Sequence, residues 1–168
     1  MAKYLYREAT SGRVTEKVGT ASSSGGGNAG EIPQLDAAGR IDSTMMPVGF
    51  GDEVVQLVAG ESLTAGDFIG INTSGQAVRA SAAPGGFDVA GFVLAGYTAT
   101  TPAIIYFEGA NTGRSALTLG ARYYLSDSTP GGVTTTPVVG SGKRSQLVGI
   151  AISTTSIALE VGISITLA

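Results

Sequence analysis

The chain has 168 residues, with a formal net charge of −3, only 14% charged residues, 7% aromatics and 26 glycines. It contains no cysteine and no histidine, which removes thiol nucleophiles, disulfides, Cys/His zinc sites and imidazole bases. The negative balance and sparse Lys and Arg argue against a nucleic-acid binder, and no apolar run reaches the about 18–20 residues that cross a bilayer as a helix.

In chain order, residues 3–8 and 13–18 each alternate apolar or aromatic with charged side chains around Ser11-Gly12. That pattern predicts two short strands joined by a turn. An isolated two-stranded hairpin is marginal in water, so this one is expected to dock on something. The first eight residues lack the apolar core of a secretory signal, which leads us to expect a cytoplasmic site of synthesis.

Residues 20–30 form a Ser/Gly tract, which predicts flexible coil. Its Gly25, Gly27 and Gly30 fit G-x-G-x-x-G. A dinucleotide site needs a strand before that motif and a helix after it, whereas serines precede it here and Ile32-Pro33 follows. Gly142-Lys143-Arg144 fails as a phosphate loop because Arg144 stands where a hydroxyl residue is needed.

Residues 31–47 then place Ile32, Leu35, Ile41, Met45 and Met46 among turn formers, with Pro33 and Pro47 opposing helix. This reads as an extended arm whose apolar groups need another surface for burial. With Tyr4 and Tyr6, they are the candidate partner-binding residues. We therefore divide the chain into an arm, residues 1–50, and a β domain, residues 51–168.

Beyond residue 51, strand candidates recur at 54–58, 68–72, 77–80, 89–97, 103–108, 121–125, 133–136, 146–152, 156–161 and 163–167. Gly-, Ser- and Pro-rich breakers separate them, which is the rhythm of an all-β sandwich or barrel. The fold class expected is thus mainly β: a compact β-barrel or sandwich with an extended N-terminal arm and few or no long helices. Tyr123 and Tyr124 should face opposite ways, one inward. Residues 140–144 read as a mobile, solvated loop. The last strand, with Ile163, Ile165 and Leu167 on one face, would be an aggregation hazard as an open edge.

Catalysis has little material to work with. Most carboxylates adjoin Gly, Ser or Pro, where turn capping accounts for them. Glu108 and Glu160, at strand ends, are the remaining acid candidates, and a glycosidase built on them would lack a tryptophan platform for sugar. Asp36 and Asp42 are too sparse for a calcium loop. The expectation is a protein that is not an enzyme, with no catalytic, cofactor-binding or metal residues and no cofactor.

Gly30, Ile32, Leu35, Asp36, Gly39, Ile41, Asp42 and Pro47 together resemble a segment, G-x-I-x-x-L-D-x-x-G-x-I-D-x-x-x-x-P, of tailed-bacteriophage virion proteins. These include capsid decoration (cement) proteins and fibre proteins. Residues 63–68 and 120–126, with Pro130 to Thr134, are similar to the β-rich domain that accompanies it. The resemblance runs from about residue 3 to the end and lies in the order of its motifs. It implies a non-enzymatic virion structural protein, a homotrimer on the capsid surface, made in the host cytoplasm. Its partners would be the major capsid protein and other copies of itself, with no nucleic acid and no membrane. The short chain has no repeated shaft, which ranks a capsid decoration protein stabilising the head above a head or tail fibre protein binding a host receptor or glycan.

Overall fold

The computed structural model describes residues 3–24, 26–37, 39–42, 45–46 and 53–168. The chain separates into two compact units, Met1–Gly51 and Asp52–Ala168. Pro47, read above as opposing helix, lies outside the described residues.

In the first unit, β1 (Lys3–Arg7) and β2 (Val14–Val18) form an antiparallel pair, with Lys3 opposite Val18 and Arg7 opposite Val14. Gly12 takes a φ of 69°, a left-handed conformation that costs a residue without Cβ little. The Ser/Gly tract is not the free coil its composition predicts. Asn28 ends a three-residue 3-10 turn, Gly26–Asn28, and its Oδ1 accepts from the Ser24 amide at 2.7 Å and the Ser24 hydroxyl at 2.8 Å. The tract therefore closes on itself. Thr20 donates to the Ile32 carbonyl and accepts from the Gln34 amide, both at 2.9 Å, so Thr20 and Pro33 form a parallel bridge. Further on, Asp36 Oδ1 accepts from the Arg40 amide at 2.9 Å across a turn in which Gly39 has a φ of 76°. That is the physical sense of the Asp-x-x-Gly spacing: a capping carboxylate and a left-handed glycine reverse the chain.

The second unit is antiparallel β, with no α-helix among the described residues. One five-stranded sheet has the order β3 (Val54–Val58), β7 (Pro102–Tyr106), β6 (Gly91–Phe92), β4 (Phe68–Ile71), β5 (Ala77–Arg79). The other has the order β10 (Val133–Thr134), β9 (Arg122–Leu125), β12 (Leu147–Ala151), β13 (Ile157–Leu159), β8 (Ala110–Asn111). A short ribbon pairs β11 (Arg144–Ser145) with β14 (Ile165–Thr166).

The mainly β class expected from the sequence is the one observed, and of its two forms the barrel is not formed. The first sheet comes nearest to closure where Ala59, just past β3, bridges Ala77 of β5. Among the described residues β3 pairs as a strand with β7 alone, and the contact with β5 is limited to that bridge, so the barrel is not closed.

The core explains the order of the strands. Phe68 and Phe92 from the first sheet meet Tyr123, Leu125, Val148, Ala151 and Ile157 from the second in one buried cluster. Ile69, Val93, Ala103 and Ile105 turn to the opposite face of the first sheet and pack with Ala59, Leu63 and Ala77. Adjacent residues such as Phe68 and Ile69 are both fully buried because that sheet is covered on both faces. Tyr123 is inside and Tyr124 half-buried, and the Tyr123 hydroxyl accepts from the Thr118 amide at 2.9 Å.

Two expectations need correcting here. The 89–97 segment pairs as a regular strand only over Gly91–Phe92; beyond it Val93 exchanges bonds with Asp67 and Gly66 in the turn before β4, and Tyr97 returns as an isolated antiparallel bridge to Leu63. The 140–144 loop is exposed over residues 140–142, as expected, but hydrogen-bonded to its neighbours rather than free. Gly142 donates to the Leu167 carbonyl and Arg144 to that of Ala82, both at 2.9 Å. Lys143 Nζ lies 2.6 Å from Asp127, and the Arg144 guanidinium donates to the Gly86 carbonyl.

Candidate partner-binding surface

The alternation of β1 and β2 sorts the hairpin into two faces. Lys3, Leu5 and Arg7 share one with Val14, Glu16 and Val18, and Tyr4 and Tyr6 share the other with Thr15 and Lys17. The first face is open to solvent: Leu5 is 74% exposed and Val14 62%, and the Lys3–Glu16 pair, at 2.7 Å, crosses it. On the second face Lys17 Nζ sits 5.1 Å from the centre of the Tyr6 ring and 2.6 Å from Glu31 Oε1.

That ion pair ties β2 to the chain beyond the Ser/Gly tract. Its hydrogen bond holds the Glu31 carboxyl below the ordinary carboxylate range and raises the Lys17 ammonium, against the opposing effect of desolvation. The Thr20 hydroxyl adds a longer bond to Glu31 at 3.4 Å.

Of the residues singled out from the sequence, Tyr4, Ile32 and Leu35 come together. They line a cavity of about 360 Å³ with Lys3, Gly19, Pro33 and Gln34. Ile32 is 50% and Leu35 57% exposed at its mouth. Gly19 is required at its back, since a Cβ there would lie 2.8 Å from the Gln34 Cβ. Gln34 Oε1 is shielded from solvent yet has no hydrogen-bond partner among the described residues. Met45 lines a second cavity, about 170 Å³, with Thr20, Ser23, Asn28, Glu31 and Pro33. Ile41 is exposed, and Tyr6, Ile41 and Met46 line neither cavity.

Sequence reasoning overlooked Leu5 and Val14, although strand alternation carries the signal: in a hairpin, a face opposite Tyr4 and Tyr6 has to exist. Pro33, Gln34 and Lys17 carried no such signal, because the Thr20–Pro33 bridge and the Lys17–Glu31 pair that bring them in join residues far apart in sequence.

Among the described residues of this unit none is buried. Its apolar side chains form a surface of small cavities and half-covered aliphatic groups without an apolar interior. In the second unit, Ser126, Asp127, Ser128, Thr134, Thr136 and Lys143 line a polar cleft of about 280 Å³ with Pro137 to Val139 as its apolar wall. Glu108 and Glu160 are exposed. No group of three or more acidic residues that could hold a metal ion occurs among the described residues. No helix among them is long and apolar enough to cross a membrane.

No protein-family model matches the chain, and no curated protein matches it.

Proposed function

We propose that this chain is a non-enzymatic structural protein of a phage particle, a capsid decoration protein that binds the lattice of the major capsid protein as a homotrimer and stabilises the head. The observation that carries this reading is the contrast in burial. The first unit exposes Leu5, Val14, Ile32, Leu35 and Ile41 at 50–74% and has no buried residue among those described. An element of that kind gains its apolar burial from a partner. Repeated contacts on a lattice convert weak single contacts into firm attachment. The second unit, with its shared core, supplies a folded body. The lack of a convergent set of titratable groups among the described residues supports a binding rather than a catalytic role.

The reading is tested by adding the purified chain to heads that lack it, from the phage that encodes it, and measuring co-sedimentation. The native chain should bind to saturation. A variant carrying Leu5→Ser, Ile32→Ser, Leu35→Ser and Ile41→Ser should lose most of that binding while keeping its fold. Equal binding by both chains, or no binding by either, would refute the reading.

A second reading, a fibre protein that takes a host glycan, draws on the hydroxyl-lined cleft between Ser126 and Lys143. A glycan array would decide it, with Asp127→Ala and Thr136→Ala expected to abolish any hit.

A further inference from the structure

In the hairpin of the first unit, β1 pairs with β2 alone, and no other backbone bond reaches it among the described residues. The ladder fixes which of its groups are free. The Glu8 amide donates to the Arg13 carbonyl at 2.9 Å, so this pair faces inward. Alternation makes Tyr6 with Thr15 and Tyr4 with Lys17 the next two hydrogen-bonded pairs. Lys3, Leu5 and Arg7 therefore direct their N–H and C=O groups outward, away from β2.

The side chains of these three residues share one face, so the edge presents cation, aliphatic group and cation in a row. All three are exposed. Arg7 Nε donates to the Gly12 carbonyl at 3.3 Å, and Lys3 meets Glu16 in a solvent-exposed pair. The hairpin is basic within an acidic chain: residues 3–18 hold four of the ten Lys and Arg but two of the thirteen Asp and Glu.

We propose that this edge takes an extended acidic segment of a partner protein as a third, antiparallel strand, with the pattern acid-x-aliphatic-x-acid. Its aliphatic residue lies opposite Leu5, and its two carboxylates lie opposite Arg7 and Lys3. The charges select the occupant. A second copy of β1 is disfavoured, because antiparallel pairing about Leu5 sets Lys3 against Arg7 and parallel pairing in register sets each against itself, like charges in both cases. Cations on an edge thus guard it against its own kind while leaving it open to carboxylates. The added strand brings main-chain hydrogen bonds to a hairpin that is marginal alone. This inference rests on the attachment reading above and names the chemistry of the surface that the first unit grips.

The probe is the peptide acetyl-Ser-Glu-Val-Leu-Val-Glu-Ser-amide, titrated into the isotope-labelled full-length chain and followed by amide NMR. Shifts should concentrate on residues 3–7. Affinity should exceed that of the same peptide with lysine for both glutamates by at least about tenfold, and the gap should narrow as salt rises. Leu5→Pro removes an outward N–H and no bond to β2, so it should abolish binding while the β2 amide signals stay in place. Arg7→Glu should instead prefer the peptide with lysine at its first glutamate, the position opposite Arg7. Equal affinity for the acidic and basic peptides, binding of neither, or binding unchanged by Leu5→Pro would overturn the proposal. Failure of the peptide with head binding intact strikes this inference alone, whereas loss of both strikes the attachment reading as well.

Discussion

The two units of this chain reach order by different routes. The second buries phenylalanines, isoleucines and valines between and behind its sheets, and its polar groups serve that core. Asn111, fully buried, donates to the Gly66 carbonyl at 2.8 Å and accepts from the Gly113 amide at 3.1 Å. The first unit has no such interior among its described residues. It is held by a hairpin ladder, a bridge at Thr20 and Pro33, and the Lys17–Glu31 pair. A surface ion pair of this kind contributes little, and a bare hairpin is marginal. The lesson is that local bridges and an ion pair order a backbone where no apolar interior forms among the described residues, while burial orders the other unit.

Substitutions should separate the two units sharply. The largest effect is expected at Phe68, fully buried at the junction of both sheets. Phe68→Ala should destabilise the second unit by about 3–5 kcal/mol in denaturant unfolding. Asn111→Ala leaves the Gly113 amide without its partner and the Gly66 carbonyl with only the Arg114 guanidinium, at 3.1 Å, and a loss of about 1–3 kcal/mol is expected in the same assay. A smaller shift comes from acid. The carboxyls of Glu31, Glu61 and Asp127 are all held below their ordinary values. For Glu31 and Asp127 the main cause is the lysine that hydrogen-bonds each; for Glu61, burial pushes upward and Arg79 outweighs it through its hydrogen bonds and charge. Protons therefore bind the unfolded chain more readily, and the stability these groups add is present above the unfolded carboxylate range and lost as pH falls below about 4. With no histidine, the thermal midpoint should stay flat between about pH 5 and 8. The smallest effect belongs to the first unit: Leu5→Ser and Leu35→Ser should change stability by no more than about 0.5 kcal/mol. If either matched Phe68→Ala, those side chains would belong to a core and the contrast would collapse.

Much of this was legible in the sequence, for reasons that differ by region. The hairpin showed in the alternation of residues 3–8 and 13–18, because a two-residue period is local information. The β class showed in the same way. The short strands β8 and β11 did not, since two-residue pairings such as Ala110–Asn111 exist only because a neighbouring strand is already in place. The closed Ser/Gly tract was hidden for a similar reason: composition reports average stiffness, whereas the Asn28 side chain and two backbone bonds, Ala29 to Gly26 and Glu31 to Asn28, hold the turn. Of the partner-binding residues, Tyr4, Ile32 and Leu35 converge because the Thr20–Pro33 bridge folds the arm back, a long-range event no window of sequence contains.

The central claim, attachment in many copies to a capsid lattice, is tested most directly by counting. Quantitative mass spectrometry of purified particles, scaled to the major capsid protein, should find this chain at hundreds of copies per head. A handful per particle would place it at a vertex as a fibre, and its absence from particles would contradict the account.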